Sequence, residues 1–135
     1  MLPFSVTIVP GESPYRQVVF AATKAVVAGD LLPGSPFPSV RELSQALKIN
    51  PNTAHKVVAE LVRDGLLEVL PGVGTVVARG HKSTAAEKRA LLSGDVESLL
   101  VEAKRLGLSH DDVQRAVRTR WKELFGNAGL SDQAE

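Results

Sequence analysis

The sequence contains no cysteine, which excludes disulfide bonds, thiolate metal ligands and cysteine nucleophiles. Aromatic residues make up only 4% of the chain, so we expect an aliphatic core and no platform on which single-stranded bases could stack. The three histidines, His55, His81 and His110, are far apart and match no metal-binding pattern. No acid–base or nucleophile constellation accompanies them. We therefore expect neither an enzyme nor a protein that binds a metal or another cofactor.

Long apolar stretches are also missing. None approaches the ~20 residues that span a membrane, and the opening MLPFSVTIVP lacks the basic start and apolar run of a signal peptide. The sequence therefore predicts a cytoplasmic protein without a membrane segment. A formal net charge of +1 means that any nucleic-acid surface must be local. A chain of 135 residues has room for one ordinary domain, or for a small domain with a short appendage.

Local signals predict three helices in the first half of the chain. Each start has a side chain that can cap the first backbone N–H groups, followed by proline at the first helical position or by glutamate three residues later. The three starts are Ser13-Pro14, Ser39 with Glu42, and Asn50-Pro51. The predicted helices cover residues 14–28, 40–47 and 51–64. The second and third, joined by a short turn, predict a helix-turn-helix.

Short β-prone segments lie on either side of these helices. Residues 66–70 and 75–78 flank Pro71-Gly72-Val73-Gly74, which predicts a hairpin, called a wing in this position. Residues 4–9 alternate loosely between apolar and polar, which predicts a short strand.

The third predicted helix has the pattern of a DNA-recognition helix. At 100° per residue, one side carries the apolar set Ala54, Val57, Val58, Leu61 and Val62, and the other carries Asn52, Lys56, Ala59 and Arg63. In a major groove, asparagine can pair bidentately with adenine and lysine can pair with guanine. The alternative is an ordinary solvent-exposed helix face. The capped helix before it and the glycine-rich hairpin after it favour DNA binding.

Two neighbouring features each have two interpretations. Arg41 is either a surface salt-bridge residue or a DNA contact. Gly72 and Gly74 either satisfy turn dihedral angles or let the backbone approach a phosphate or the minor groove.

Apolar spacing predicts the role of the second half of the chain. After a polar boundary at residues 81–84, Ser93-Gly94 interrupts a helix that we expect to be kinked or split in two, and Ser109 caps a last helix. Apolar residues recur there at steps of three and four, as on a packed seam. They are Leu92, Val96, Leu99, Ala103, Leu106, Val113, Val117, Trp121 and Leu124. One winged domain cannot cover this seam, so the seam predicts a homodimer.

The expected fold is mainly α with a small β-hairpin wing, namely a winged helix-turn-helix followed by a C-terminal two-helix dimerisation segment. The corresponding domains are residues 1–80 for DNA binding, 81–126 for dimerisation and 127–135 as a flexible tail.

From Ser13 to Ala78 the chain resembles the GntR family of bacterial regulators. The matching segments are SPYRQV, GDLLPG, PSVRELSQAL, INPNTAHKVVAELVRDGLL and PGVGTVV. The remainder of the chain, after the wing, resembles the YtrA-like subfamily, whose members have a short two-helix dimerisation segment in place of a larger effector-binding domain. The resemblance implies a repressor that binds double-stranded operator DNA as a homodimer. The two-fold symmetry of such a dimer in turn predicts an inverted-repeat operator. The resemblance leaves a small-molecule effector open, and a winged helix that binds protein instead of DNA is the alternative.

By position, the resemblance carries the family's DNA contacts over to Ser39, Arg41, Asn50, Asn52, Thr53, His55, Lys56, Gly72, Gly74 and Thr75. Two departures concern the particular operator rather than DNA binding itself. His55 stands where many relatives have arginine, which predicts a weaker or pH-sensitive contact. Val58 stands where the subfamily often has tyrosine.

Overall fold

Six α-helices and one antiparallel hairpin form the part of the chain that the computed structural model describes, residues 2–80, 83–127 and 129–130. The elements are α1 (Pro14–Val27), α2 (Val40–Leu47), α3 (Pro51–Arg63), β1 (Leu67–Leu70), β2 (Gly74–Val77), α4 (Ala85–Arg89), α5 (Val96–Arg105) and α6 (His110–Phe125). The predicted mainly α fold with a small hairpin is confirmed. The chain divides into two compact units, Met1–Lys82 and Ser83–Glu135. None of the helices in these ranges has the length and apolar character needed to cross a membrane.

The predicted capping residues begin the helices of the first unit. At α2 the Ser39 hydroxyl oxygen accepts a hydrogen bond from the Glu42 N–H, and the Glu42 carboxylate accepts one from the Ser39 N–H. At α3 the Asn50 side-chain oxygen accepts from the Asn52 N–H at 2.7 Å, and Ser13 caps α1. These bonds satisfy backbone donors that have no partner within a helix, which is why the helices begin at the predicted residues.

A tight turn joins α2 to α3. Lys48 ends α2 in the left-handed conformation, with a φ of 55°. The Ser44 hydroxyl donates to the Ile49 carbonyl at 2.9 Å across the same turn. Together with the caps, this turn forms the predicted helix-turn-helix.

The wing pairs with a third stretch of backbone from the loop between α1 and α2. The Phe37 N–H donates to the Thr75 carbonyl, and the Val77 N–H donates to the Ser35 carbonyl, each at 2.9 Å. In the same loop Gly34 has a φ of 83°, and the guanidinium of Arg79 occupies the place of a side chain there. The loop therefore covers the free edge of β2, which would otherwise expose unpaired backbone groups.

An aliphatic core holds these elements together, as the composition predicts. Its largest fully buried side chains are Val18 of α1, Leu43 of α2, Val57 and Leu61 of α3, Leu67 of β1 and Val77 of β2. Ala54 is also buried, and Val58 and Val62 pack against the core while partly exposed. The predicted inward face of α3 is therefore confirmed.

Residues 4–9 do not form the predicted strand. Phe4 is buried and stacks on Phe37, with ring centroids 5.7 Å apart. The backbone nearby bonds to a side chain of α1: the Val9 N–H donates to the Gln17 side-chain oxygen at 2.7 Å, and the Gln17 amide nitrogen donates to the Val9 carbonyl at 3.1 Å. A strand needs a neighbouring backbone for its hydrogen bonds. Because a helix lies there instead, the segment does not become a strand.

The second unit begins with a helix that changes its winding. A π-helical turn, Ala90–Asp95, joins α4 directly to α5 and contains Ser93 and Gly94. The expected interruption therefore takes the form of wider winding, and the chain stays helical through it. Glycine and serine weaken the α-helical conformation, which makes the wider turn less costly at this place. After α5, Ser109 caps α6 as predicted.

Candidate nucleic-acid interface

The first two turns of α3 present polar side chains to solvent. Asn52, His55 and Lys56 are exposed, and Thr53 is half-buried. The apolar residues of α3 hold the opposite side of the helix in the core, so the orientation of this polar face is fixed. Four of the predicted DNA contacts therefore lie together at one end of one helix.

The start of α3 is electrostatically suited to an anion. Its first turn contains no acidic residue, so the positive end of the helix dipole is not neutralised. Pro51 lacks an N–H, and Asn50 uses its side-chain oxygen as a cap while its amide nitrogen remains able to donate. Free backbone N–H groups at a helix N-terminus form a common phosphate site.

Arg41 and Ser39 lie at the start of α2. The Ser39 backbone N–H, and then its side chain, hold the pKa of Glu42 below the ordinary value. Glu42 is therefore charged at neutral pH and bonded to the cap. In the described ranges Arg41 belongs to none of the ion pairs. This arrangement favours the DNA-contact interpretation of Arg41 over a surface salt bridge.

The tip of the wing carries the remaining predicted contacts. Gly72 and Gly74 have φ values of 76° and 116°, with open space where a side chain would lie. Positive φ alone therefore explains both glycines, whether or not DNA approaches them. Thr75 is half-buried in β2. Between the two glycines, Val73 is exposed; it was not among the predicted contacts because an isolated valine in a turn has no distinctive pattern.

A hydrogen-bond network ties α1 to the C-terminal half of α3. The Tyr15 hydroxyl donates to the Glu60 carboxylate at 2.8 Å, and Arg63 forms an ion pair with the same oxygen at 2.8 Å. The Tyr15 bond is the main reason that the pKa of Glu60 lies below its ordinary value. Because Glu60 is held toward Tyr15, its charge is partly balanced and does not lie among the polar residues of the first two turns.

In the second unit, α5 and α6 line an apolar groove of about 590 Å³. Of the predicted dimerisation residues, Leu99, Ala103, Leu106, Val113, Val117, Trp121 and Leu124 line this groove. Leu92 and Val96 lie outside it and are exposed. Leu99 and Leu106 remain 50% and 60% exposed in a single chain. The groove is therefore an apolar surface that the unit itself does not cover.

Three further apolar residues line this groove and were not predicted: Leu108, Ala116 and Phe125. Phe125 follows Trp121 by one helical turn, and their rings meet edge to face with centroids 5.0 Å apart. The i, i+4 spacing could have indicated Phe125. Leu108 lies in the turn after α5, where helical periodicity gives no signal.

The charged residues that line the groove are paired within the unit. Glu102 pairs with Arg105 and Arg120 with Glu123, each three residues apart on its helix. Asp112 pairs with Arg115 in the same way. Such neutralised pairs allow a second apolar surface to approach more easily than isolated charges would.

Comparisons with known proteins agree with this architecture. The family model described as "Bacterial regulatory proteins, gntR family" matches residues 14–77. The chain is 30% identical over 105 residues to the HTH-type transcriptional repressor YtrA of Bacillus subtilis (strain 168), covering 77% of this chain and 81% of that protein. It is 31% identical over 105 residues to the uncharacterized HTH-type transcriptional regulator YhcF of the same strain, covering 78% and 87%.

A solved structure supports the fold. The transcriptional antiterminator from Listeria monocytogenes EGD-e aligns with a TM-score of 0.78 and 23% identity, covering 94% of this chain and 98% of that one. The likeness therefore extends beyond the winged helix. The sequence relatives, the family match and the winged helix-turn-helix lead to one conclusion: the chain belongs to the GntR family of bacterial regulatory proteins and is a DNA-binding transcription regulator.

Proposed function

We propose that the protein is a repressor that binds an inverted-repeat operator as a homodimer and acts on DNA in the cytoplasm. The observation that carries this proposal is the start of α3, which exposes Asn52 and Lys56 beside an acid-free helix N-terminus. An amide and a cation at this position can read base edges in a major groove.

The surrounding residues have the chemistry to position α3. Arg41 and Ser39 at the start of α2, and Asn50 before α3, can donate to phosphates, which fix the orientation of a protein on the duplex. In the same way Thr53 and His55 flank the base-reading side chains. The wing, with Gly72, Gly74 and Thr75 at its tip, is suited to a neighbouring groove or phosphate.

Homodimerisation through the groove of the second unit is supported by its apolar lining. Leu99, Leu106 and Val117 each keep half or more of their surface exposed in one chain. A contiguous apolar surface of this kind normally marks a binding face. A second copy carries the same groove, and a two-fold dimer places like surfaces against each other. We propose that a second copy of this chain covers it.

Alanine variants of three residues separate base reading from phosphate contact. The probes are the duplex that the parent protein enriches from a random library and a random duplex of equal length. Asn52→Ala and Lys56→Ala should each reduce discrimination between the two duplexes by about 1–3 kcal/mol if the side chains read bases. Arg41→Ala should weaken binding to both if it contacts a phosphate.

Lys24→Ala is the matched control, because Lys24 is an exposed cation on α1 that lies over the ring of Phe20. It should bind both duplexes like the parent. Fluorescence anisotropy at physiological salt gives the affinity of the parent and of each of the four variants for both duplexes. If Asn52→Ala, Lys56→Ala and Arg41→Ala also bind like the parent, the assigned face is wrong.

A further inference from the structure

The wing tip displays an apolar side chain that the core does not use. Val73 is 72% exposed, more than any other large apolar residue in the described part of the chain. It lies at the turn of the hairpin, between Gly72 and Gly74. Exposed apolar side chains are common singly, so exposure alone does not identify a function.

The backbone fixes the position of this side chain. The Val73 N–H donates to the Leu70 carbonyl at 3.0 Å. Gly72 and Gly74 have positive φ values, and nothing lies within 4 Å of the place where a side chain would begin on either. The tip is therefore narrow around Val73, because both of its neighbours, Gly72 and Gly74, are bare backbone.

The charge of the hairpin limits how it can bind DNA. From Leu67 to Ala78 the only charged residue is Glu68. The hairpin itself therefore has no cation that could form an ion pair with a phosphate, and Arg79, the next cation along the chain, lies against Gly34 in the loop between α1 and α2. What the hairpin offers is a narrow backbone with an apolar tip. The walls of a minor groove are deoxyribose rings, which are partly apolar, and many proteins that bind minor grooves place apolar side chains there, as wedges between base steps.

We propose that Val73 enters the minor groove beside each half-site and selects A·T base pairs there. This inference rests on the proposed function. The floor of the minor groove carries the 2-amino group of guanine at G·C pairs and no such donor at A·T pairs. One hydrogen of this amino group pairs with cytosine, and the other points into the groove. Valine cannot accept a hydrogen bond from that second N–H and would displace the water bound to it, and its methyl groups would clash with the amino group. A·T tracts have narrower grooves, in which the sugars lie closer to a small side chain.

Base analogues in the enriched duplex test this inference. We expect the full-length protein to enrich duplexes with A·T pairs beside the half-sites. Replacing one such A·T pair with G·C should weaken binding about tenfold, a typical effect of one unfavourable pair. Replacing it with inosine·cytosine should restore binding, because inosine keeps the major-groove edge of guanine and lacks its 2-amino group.

The variant Val73→Ala should lose this discrimination, because it lacks the methyl groups that clash with the guanine amino group. Its affinities for the A·T and G·C duplexes should lie within about twofold of each other. Val27→Ala is the matched control, because it removes the same two methyl groups from a 59% exposed valine on α1. It should keep the tenfold difference. Both substitutions are at exposed sites, and circular dichroism melting confirms that the variants fold.

The outcomes separate this inference from the proposed function. Val73 does not read the minor groove if an enriched duplex binds equally tightly with G·C beside its half-sites, or if Val73→Ala discriminates like the parent. Either result leaves the proposed function as a dimeric regulator unchanged. If inosine·cytosine binds as poorly as G·C, the discrimination comes from the major groove, which also overturns the inference. If no duplex is enriched at all, the proposed function fails and this inference fails with it.

Discussion

A Leu99→Asp variant is expected to be monomeric where the parent protein is dimeric. Leu99 lies in the groove between α5 and α6 and is 50% exposed in one chain, so an aspartate there can stay hydrated in the monomer. In the dimer the same carboxylate would be buried without a partner, once in each copy. Burying an unpaired charge costs several kcal/mol, and about 1.4 kcal/mol is tenfold in affinity. The dissociation constant of the dimer should rise at least ~100-fold.

Val101→Asp provides the matched control for this experiment. Val101 is on the same helix and is 64% exposed, but it does not line the groove. This variant should remain dimeric, with unchanged helix content by circular dichroism. Sedimentation velocity at micromolar concentration distinguishes the two states. A Leu99→Asp protein that sediments as a dimer would show that the groove is not the interface.

Inserting five base pairs between the two half-sites of the operator is expected to abolish specific binding. A two-fold dimer presents two identical recognition helices, so the half-site centres should lie about ten base pairs, one helical turn, apart, or a near multiple of that distance. Five extra base pairs turn one half-site to the opposite side of the duplex. Only one α3 helix can then reach its bases.

The loss should be large because one half-site is a weak target. Helix α3 is about 20 Å long at 1.5 Å per residue, and its first turns can contact only a few base pairs. With a formal net charge of +1, the chain offers little general attraction to DNA. Affinity should therefore depend on both subunits binding together. Footprinting on operators with zero, five and ten inserted base pairs measures this dependence. An asymmetric footprint, or a footprint that the five-base-pair insertion does not change, would contradict binding by a symmetric dimer.

The helices of the first unit could be predicted from sequence because their signals are local. Ser39 with Glu42, and Asn50 followed by Pro51, specify helix starts within four residues, and the caps form as expected. The polar face of α3 could be placed for a related reason. Helical periodicity determines which side of α3 is buried once the helix exists.

Features that depend on distant neighbours could not be predicted. Residues 4–9 have the composition of a strand, but the side chain of Gln17 occupies the place of a partner strand. The loop residues Ser35 and Phe37 pair with β2, although nothing local in a proline-rich loop indicates it. Likewise, Ser93 and Gly94 predict an interruption of the helix, but they do not predict that it takes the form of a π-helical turn at residues 90–95. A periodic pattern alone does not give the winding of a helix.

Sequence-selective DNA binding is tested most directly by the salt dependence of binding by the full-length protein. Its equilibrium affinity is measured for the enriched duplex and for a random duplex over a range of salt concentrations. We predict that the enriched duplex binds at least ~10³-fold more tightly and that log K falls steeply and linearly with log salt as phosphate contacts release counterions. Equal affinity for both duplexes with a flat salt response would contradict this prediction, and would indicate a winged helix that binds protein instead of DNA.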